Sequence, residues 1–381
     1  MAQAGQSLLY VCRSCRQSLR SAPKTSRSFS TTPNRQKVVP SFTPTAHGEL
    51  DQLLVEWREK VFIPAALPEH HRKIIYKPSR QQALLNDGGV QVTLSDDEEI
   101  TLQPRDYHNK PNVRESMRKM IRILSEQNED VVWNNLGPWL EGLQISKQKL
   151  PDFFWEKITR KACEIGKERI ILACAEKSSK TGFSLKKRGV TFELMLGFHK
   201  RAADHGFTGS ELESAWQRAL KVTRLLEDML HDGDKLKRNE VDPRKDPLVL
   251  SVLTELAAAK ALESGGNADQ VASYAARMLP VAQERDFSLQ MAEGLKEDVR
   301  TRVVQNAVLE SFLPMQNAIN LALKFDAIKK SDLGEKLSLH LGIVNQKVDK
   351  AVQELRAASD GKKRRGELMY DQLHEKKDTD S

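Results

Sequence analysis

Residues 152–186, DFFWEKITRKACEIGKERIILACAEKSSKTGFSLK, contain the pattern that decides the fold. Phe154, Ile158 and Ala162 follow one another at intervals of four, so they line one face of a helix. Gly166 marks the end of that helix, because glycine readily adopts the left-handed backbone of a helix terminus. A second apolar run follows shortly afterwards. The segment therefore predicts two helices joined by a tight turn.

The same arrangement recurs 40 residues later. Leu194, Phe198, Ala202 and Gly206 repeat the apolar spacing, the small residue and the terminating glycine. Self-similarity at a period of roughly 20–50 residues is typical of arrays of helical hairpins. Aromatic residues make up only 6% of the 381 residues, and sheet-rich domains usually contain more. The sequence therefore predicts a mainly α protein, a right-handed array of helical hairpins similar to an α-solenoid.

The chain opens with a segment that resembles a mitochondrial leader. No Asp or Glu precedes Glu49, whereas Arg, Lys, Ser and Thr are frequent, a composition typical of a mitochondrial transit peptide. The stretch RSFSTT at residues 27–32 resembles the processing sites of fungal mitochondrial presequences, which implies cleavage between residues 28 and 37. Removal of residues 1–29 lowers the net charge from +8 to +3. We therefore expect the mature protein in the mitochondrial matrix.

The helical pattern covers only part of the chain and divides it into segments. It begins near residue 111, after a region that predicts one helix, an extended basic arm at 63–80 and a small β-hairpin at 89–102. A polar stretch, HDGDKLKRNEVDPRKD, interrupts it. The predicted segments are the transit peptide (1–36), the N-terminal helix, arm and hairpin (37–110), the helical-repeat region (111–230), the polar loop (231–246), the C-terminal helical region (247–358) and a disordered tail (359–381).

The last long helix carries an apolar seam. Its residues alternate spacings of four and three over about three heptads, as in a coiled coil; they are Leu337, Leu341, Val344, Val348, Ala351 and Leu355. Two interpretations stay open. Either this helix packs on the rest of the array, or residues 333–355 bind a partner helix.

Motifs of catalysis and cofactor binding are absent from the sequence. It contains no phosphate-binding loop, no dinucleotide-binding glycine motif, no H-E-x-x-H and no G-x-S-x-G. Cys12 and Cys15 form a C-x-x-C pair, but no second pair follows at zinc-site spacing, and both lie in the leader. The longest purely apolar stretch, residues 170–175, is too short to span a bilayer. We expect no catalytic residue, no metal ligand and no cofactor, and hence no enzyme.

Basic residues are unevenly distributed and indicate where RNA could bind. Residues 105–124 carry a net charge of +4 and residues 152–201 one of +6, whereas residues 206–300 carry −4. Clustered cations bind phosphates, although an ordinary solvated helix surface explains 152–201 equally well. The 63–80 arm combines cations with prolines and a tyrosine, which favours RNA. The candidate RNA-binding residues are Arg72, Lys73, Lys77, Arg80, Arg114, Arg118, Lys119, Arg122, Lys186, Lys187 and Arg188.

Residues 152–186 resemble one unit of the pentatricopeptide repeat family. The likeness rests on the first helix, on the turn at Gly166, on the second apolar helix and on the Thr-Gly-Phe sequence at 181–183 that closes the unit. As a whole, the chain resembles helical mitochondrial proteins of filamentous fungi, among them accessory proteins of mitochondrial ribosomes. The resemblance implies RNA, in particular rRNA, and mitoribosomal proteins as partners.

Three functions stay open at this point. The first is a non-catalytic helical-repeat component of mitochondrial gene expression, an accessory mitoribosomal protein that contacts rRNA and neighbouring proteins. The second is an mRNA-binding factor for translation or RNA maturation that joins ribosomes only transiently. The third is an assembly factor for a respiratory complex that acts through protein contacts and binds no RNA.

Overall fold

The computed structural model describes residues 39–86, 90–94, 98–228, 242–266, 268–283 and 294–375. Within these ranges the protein is mainly α-helical, as predicted, and contains a single two-stranded antiparallel sheet. None of the helices described there has both the length and the apolar character needed to span a bilayer. The expected transit peptide with its cleavage site, and most of the expected polar loop, lie outside the described residues.

The N-terminal region consists of short helices followed by the hairpin. Its elements are α1 (Gly48–Trp57), continued by a π-helical turn (Arg58–Phe62), α2 (Ile63–Ala66), α3 (Glu69–Tyr76), α4 (Pro78–Asn86), β1 (Val90–Thr93) and β2 (Glu99–Leu102). Val90 pairs with Leu102 and Val92 with Ile100, so the alternating apolar residues share one face of the sheet. The predicted hairpin is confirmed.

The predicted extended arm at 63–80 is wrong, because this stretch is helical. Helices α3 and α4 follow each other and meet at Lys77. The prolines do not prevent helix formation, because Pro68 precedes the first turn of α3 and Pro78 begins α4. Proline is well tolerated there, since the first turn of a helix lacks partners for its N–H groups. Ile75 is buried and packs α3 on the core.

The central region contains the predicted hairpins. Its helices are α5 (Val113–Glu126), α6 (Asp130–Asn134), α7 (Leu136–Ile145), α8 (Asp152–Glu164), α9 (Glu168–Glu176), α10 (Ser178–Thr181), α11 (Arg188–Asp204) and α12 (Gly209–Glu227). Helix α8 packs against both α9 and α11, and α11 packs against α12. The hairpin α8–α9 therefore lies beside the hairpin α11–α12.

Helices α8 and α11 end in the same way, as the repeated sequence pattern predicted. Gly166 and Gly206 have positive φ angles of 77° and 67°. After each glycine, a backbone N–H donates to a carbonyl of the last turn: from Lys167 to Ala162 and from Phe207 to Ala202, both at 2.7 Å. This hydrogen bond, of the Schellman type, satisfies a carbonyl that has no partner within the helix.

The C-terminal region is built around one buried helix. A 3₁₀ turn (Pro243–Lys245) precedes α13 (Pro247–Ser264), α14 (Ala268–Gln283), α15 (Glu297–Ala322), α16 (Asp326–Lys329), α17 (Asp332–Ala357) and α18 (Arg365–Glu375). Helix α13 packs against α11, α12, α14 and α15, and is buried on all sides over most of its length. Asp246 caps its start by accepting the backbone N–H of Leu248 at 3.0 Å.

The seam of α17 is filled by the protein itself. Helix α17 packs against α15, and five of its six seam residues are buried, namely Leu337, Val344, Val348, Ala351 and Leu355. The first interpretation of this helix is therefore confirmed. A partner at 333–355 has only the opposite face to bind, where Leu339 and Ile343 are 74% and 51% exposed.

The tail predicted as disordered contains a helix, α18. Arg365, in its first turn, forms ion pairs with Glu193 on α11 and Glu310 on α15. Gly366 lies so close to α15 that an added Cβ would come within 2.7 Å of Leu309 Cβ. The composition of the tail is polar, and its buried acidic partners lie far away in sequence, so local composition could not indicate order. Residues 376–381 lie outside the described part.

Candidate nucleic-acid interface

Helix α5 presents a row of cations on its outer face. Arg114, Arg118 and Arg122 lie four residues apart and therefore share one side of the helix, with Lys119 beside them; all four are exposed. Asn112 starts the helix by accepting the backbone N–H of Arg114 at 2.9 Å. Burial of the opposite face fixes the orientation of this row; the buried residues are Ser116, Met117, Met120, Ile121, Ile123 and Leu124.

Two of the four cations in this row have a carboxylate partner within the chain. Arg122 Nη2 lies 2.6 Å from Glu49 Oε1 on α1, and Lys119 pairs at 3.4 Å with a glutamate one turn earlier. Arg114 and Arg118 form no ion pair with any residue that the structure describes. Their guanidinium groups are therefore available to an external anion.

The cations expected on the arm lie on α3 and α4 or between them. Arg72, Lys73, Lys77 and Arg80 are all exposed, although the backbone that carries them is folded and not extended. Lys73 pairs with Glu69 at 2.6 Å, one turn earlier. Across the described ranges, the other three have no carboxylate within ion-pair distance. The structure thus keeps these charges at the surface.

Two of the three candidates in the third group, Lys187 and Arg188, form ion pairs within the protein. Lys187 forms an ion pair with Asp152 at the start of α8. Arg188 Nε lies 2.5 Å from Asp246 Oδ2, and Asp246 is buried at the start of α13. Lys186 is half-buried. Arg188 therefore links α11 to α13, which accounts for this residue without RNA.

The connection between β2 and α5 contributes aromatic residues that sequence reasoning did not select. Tyr107 is 59% exposed, and the centroid of its ring lies 5.5 Å from that of Tyr76. Lys110 Nζ lies 3.8 Å from the centre of the Tyr107 ring. A tyrosine three residues before a lysine, in a stretch without helical spacing, was the available signal.

Titratable groups elsewhere in the described residues form no recognisable catalytic or metal site. No group of three or more His, Cys, Asp or Glu side chains in those ranges is placed to hold a metal ion. Burial raises the pKa of the Cys174 thiol to about 12 and that of Cys163 well above its ordinary value. Both thiols are therefore protonated at neutral pH, and a protonated thiol is a poor nucleophile.

An array of helical hairpins with exposed cation rows defines a helical scaffold protein, a class whose members bind through extended surfaces. The family model described as mitochondrial ribosomal protein mS27 matches residues 27–372 of the chain. The chain is also 27% identical over 279 residues to small ribosomal subunit protein mS27 of Neurospora crassa, a match that covers 69% of this chain and 68% of that protein. The chain therefore belongs to the mitochondrial ribosomal protein mS27 family.

Membership of this family confirms the resemblance to accessory mitoribosomal proteins of fungi. It makes the protein a mitochondrial one, a component of a ribonucleoprotein that serves translation. A ribosomal-protein family also implies a structural and not an enzymatic role, with other ribosomal components as partners.

Proposed function

We propose that the protein is a stable structural component of the small subunit of the mitochondrial ribosome, in the mitochondrial matrix, where it contacts rRNA and neighbouring proteins. The outer row of α5 carries this proposal, because Arg114 and Arg118 are exposed and form no ion pair among the described residues. The Neurospora crassa relative is named as a small-subunit protein, which supports the choice of subunit.

Arginine suits a structural contact to rRNA. Its guanidinium is planar, stays charged at any physiological pH and can donate two hydrogen bonds to one phosphate. Arg114 and Arg118 lie on one side of a helix that is fixed by its buried face, so they are held ready to bind. The exposed cations of α3 and α4 extend the positive surface of the N-terminal region. Such contacts read the backbone of RNA and carry no sequence specificity by themselves.

Some other cations form ion pairs that hold the fold together, which leaves fewer of them for RNA. Arg188 and Arg365 are occupied by buried or nearly buried carboxylates. The cations on α3, α4 and α5 that form no ion pair among the described residues are the ones proposed to face RNA. The exposed apolar residues Leu339 and Ile343 on α17 supply a contact surface of another kind, suited to a neighbouring protein.

The test is double replacement of Arg114 and Arg118 by alanine. Lys324→Ala with Lys329→Ala is the matched control, because both lysines are exposed in the C-terminal region and removal changes the net charge equally. Each lost phosphate contact lowers the slope of log affinity against log salt by about 0.7 to 0.9. We expect the α5 variant to bind rRNA fragments with a slope reduced by about 1.5 and the control to match the parent.

Sedimentation of mitochondrial lysate tests the cellular role. Migration with the small ribosomal subunit that persists at high salt is the expected result. Association that is lost at moderate salt supports an mRNA-binding factor that joins ribosomes transiently. Migration with a respiratory complex, together with equal RNA binding by parent and α5 variant, supports an assembly factor and contradicts the proposal.

A further inference from the structure

The segment between β2 and α5 forms an exposed aromatic cleft against α3. Tyr107 and Tyr76 meet edge to face, with ring centroids 5.5 Å apart and planes inclined by 78°. His108 meets Tyr107 in the same manner at 5.8 Å. Lys110 Nζ lies 3.8 Å from the centre of the Tyr107 ring and 5.9 Å from that of Tyr76. Three rings and a cation are thus gathered at the surface.

Core packing does not account for Tyr107. Its side chain is 59% exposed even though Lys110 lies over the ring. Large aromatic side chains contribute most to stability when they are buried, so an exposed one contributes little. The cleft beside it has a volume of about 440 Å³, within the range of small-ligand sites, and Pro78, Gln81 and Arg105 also line it.

One backbone hydrogen bond and two from a side-chain amide hold the two walls of the cleft together. The N–H of Arg105 donates to the carbonyl of Ile75 at 2.8 Å. Gln81 Nε2 donates to the carbonyls of both Ile75 and Arg105, at 2.8 and 3.1 Å. These bonds join the end of α3, the first turns of α4 and the segment that carries Tyr107. A cleft fixed in this way loses little conformational entropy when a ligand enters.

Exposed cations lie around the cleft, and the exposed carboxylate of Asp106 also lines it. Lys77 and Arg80 lie on the segment that carries Tyr76 and Pro78, and Lys110 lies over the rings. Exposed aromatic rings next to cations are the combination with which proteins hold unpaired nucleotides: bases stack on the rings and phosphates meet the charges. Double-stranded RNA keeps its bases stacked inside the helix and cannot use the rings.

We infer that the Tyr76–Tyr107 cleft binds an unpaired base of single-stranded RNA, with Tyr107 as the stacking platform and Lys110 as a contact to the adjoining phosphate. This inference rests on the proposed contact to rRNA and deepens it, since it names unpaired nucleotides as the part of the RNA that this surface binds. The cations of α5 make backbone contacts that need no unpaired base, so the two surfaces can be tested separately.

The experiment compares three probes on the full chain: a ten-nucleotide oligoadenylate, the same oligonucleotide with abasic sites, and a ten-base-pair RNA duplex. The parent is expected to prefer the oligoadenylate to its abasic form. Tyr107→Ala should reduce oligoadenylate affinity by roughly 5- to 150-fold, the range found for one stacked base. It should leave the abasic and duplex affinities unchanged. Tyr107→Phe keeps the ring and should behave as the parent does.

Phe153→Ala is the matched control, because Phe153 is an aromatic side chain on α8 that is 53% exposed. It should alter no affinity. The inference is overturned if the parent binds oligoadenylate and its abasic form equally, or if Tyr107→Ala weakens all three probes together. If the protein still binds the RNA duplex after either of these outcomes, the proposed contact to rRNA remains supported. Failure of the parent to bind any of the three RNAs contradicts the inference and the proposed rRNA contact alike, and directs attention to a protein ligand.

Discussion

Arg365 Nη1 donates to Glu193 Oε2 at 2.6 Å and so joins the last helix to α11, 172 positions earlier in the chain. The same guanidinium donates to Glu310 on α15 through Nε at 2.8 Å. Burial lowers the pKa of Arg365, but the hydrogen bonds and charges of Glu310 and Glu193 outweigh it and raise this pKa above its ordinary value. One side chain thus holds three helices together.

Replacement of Arg365 by alanine should destabilise the protein and release α18. Removal of Arg365 leaves Glu310 without its cation among the described residues, while Glu193 keeps its ion pair with Arg160 at 2.7 Å. Loss of one partner from a largely buried ion pair costs about 3 kcal/mol. Arg364→Ala is the control: its pair with Asp360 is exposed, and such pairs contribute about 0–1 kcal/mol. Urea unfolding of both variants measures the difference. Equal unfolding free energies for the two variants would show that α18 does not depend on this cluster.

The fold could be predicted where local periodicity determined it. Apolar residues four apart and a following glycine indicated α8 and α11, because burial of one helix face and a left-handed terminus leave a local mark in the sequence. The same reasoning failed at 63–80 and at the tail. In both places order depends on distant partners: Ile75 packs on a core built from other segments, and Arg365 needs Glu193 and Glu310.

The candidate interface could be predicted only in part for a related reason. A charge count identifies cations but not the carboxylates that the fold brings beside them. Arg118 and Arg188 look equivalent in the sequence, yet Arg118 is exposed without a described ion pair, whereas Arg188 contacts the buried Asp246. Tyr107 was missed because an aromatic residue outside any periodic pattern could equally belong to a core.

Val348→Asp should destabilise the protein by several kcal/mol. Val348 is fully buried in the seam between α17 and α15, and a carboxylate there loses its hydration without gaining a partner. Leu339→Asp is the matched control on the same helix, because Leu339 is 74% exposed and the charge stays in water. Thermal and urea unfolding compare the two.

Leu339→Asp also tests whether the outer face of α17 binds a partner, which is the second interpretation that the sequence left open for residues 333–355. If this variant unfolds as the parent does but no longer sediments with the ribosomal subunit, the outer face is a protein contact. If the variant sediments with the ribosomal subunit as the parent does, the protein contacts its neighbours through a surface other than the outer face of α17. A large loss of stability in Leu339→Asp would contradict the exposed position of the side chain.

The stability of the protein should fall as the pH falls below about 6.5, in part because of His340. This ring lies in α17, and neither of its nitrogens has a hydrogen-bond partner within the described residues. Burial, and secondarily the charge of Lys347, lowers its pKa below the ordinary value of 6.5. On acidification the unfolded chain therefore binds a proton first, which favours unfolding.

His340→Leu removes this proton uptake. Its unfolding free energy should decline less than that of the parent between pH 6.5 and the lowered pKa of the folded protein. His205→Leu is the control, since His205 is exposed. Urea unfolding at a series of pH values gives the comparison. A His340→Leu profile that runs parallel to the parent's would assign the acid sensitivity to other groups.

Alanine substitution at two glycines should change the unfolding free energy of the protein in opposite directions. Gly206 ends α11 with a φ of 67°, and an added Cβ there meets no atom within 4 Å. Gly206→Ala should therefore lower the unfolding free energy by about 1–2 kcal/mol, because alanine is strained in the left-handed backbone conformation and no steric clash adds to that strain. Gly342 lies inside α17 in open space and has an ordinary helical backbone, so Gly342→Ala should raise the unfolding free energy by up to about 1 kcal/mol. Urea unfolding of both variants measures the two changes in unfolding free energy. If Gly206→Ala stabilised the protein, α11 would not end in the left-handed turn that it shares with α8, and the pattern from which the helical array was predicted would be contradicted.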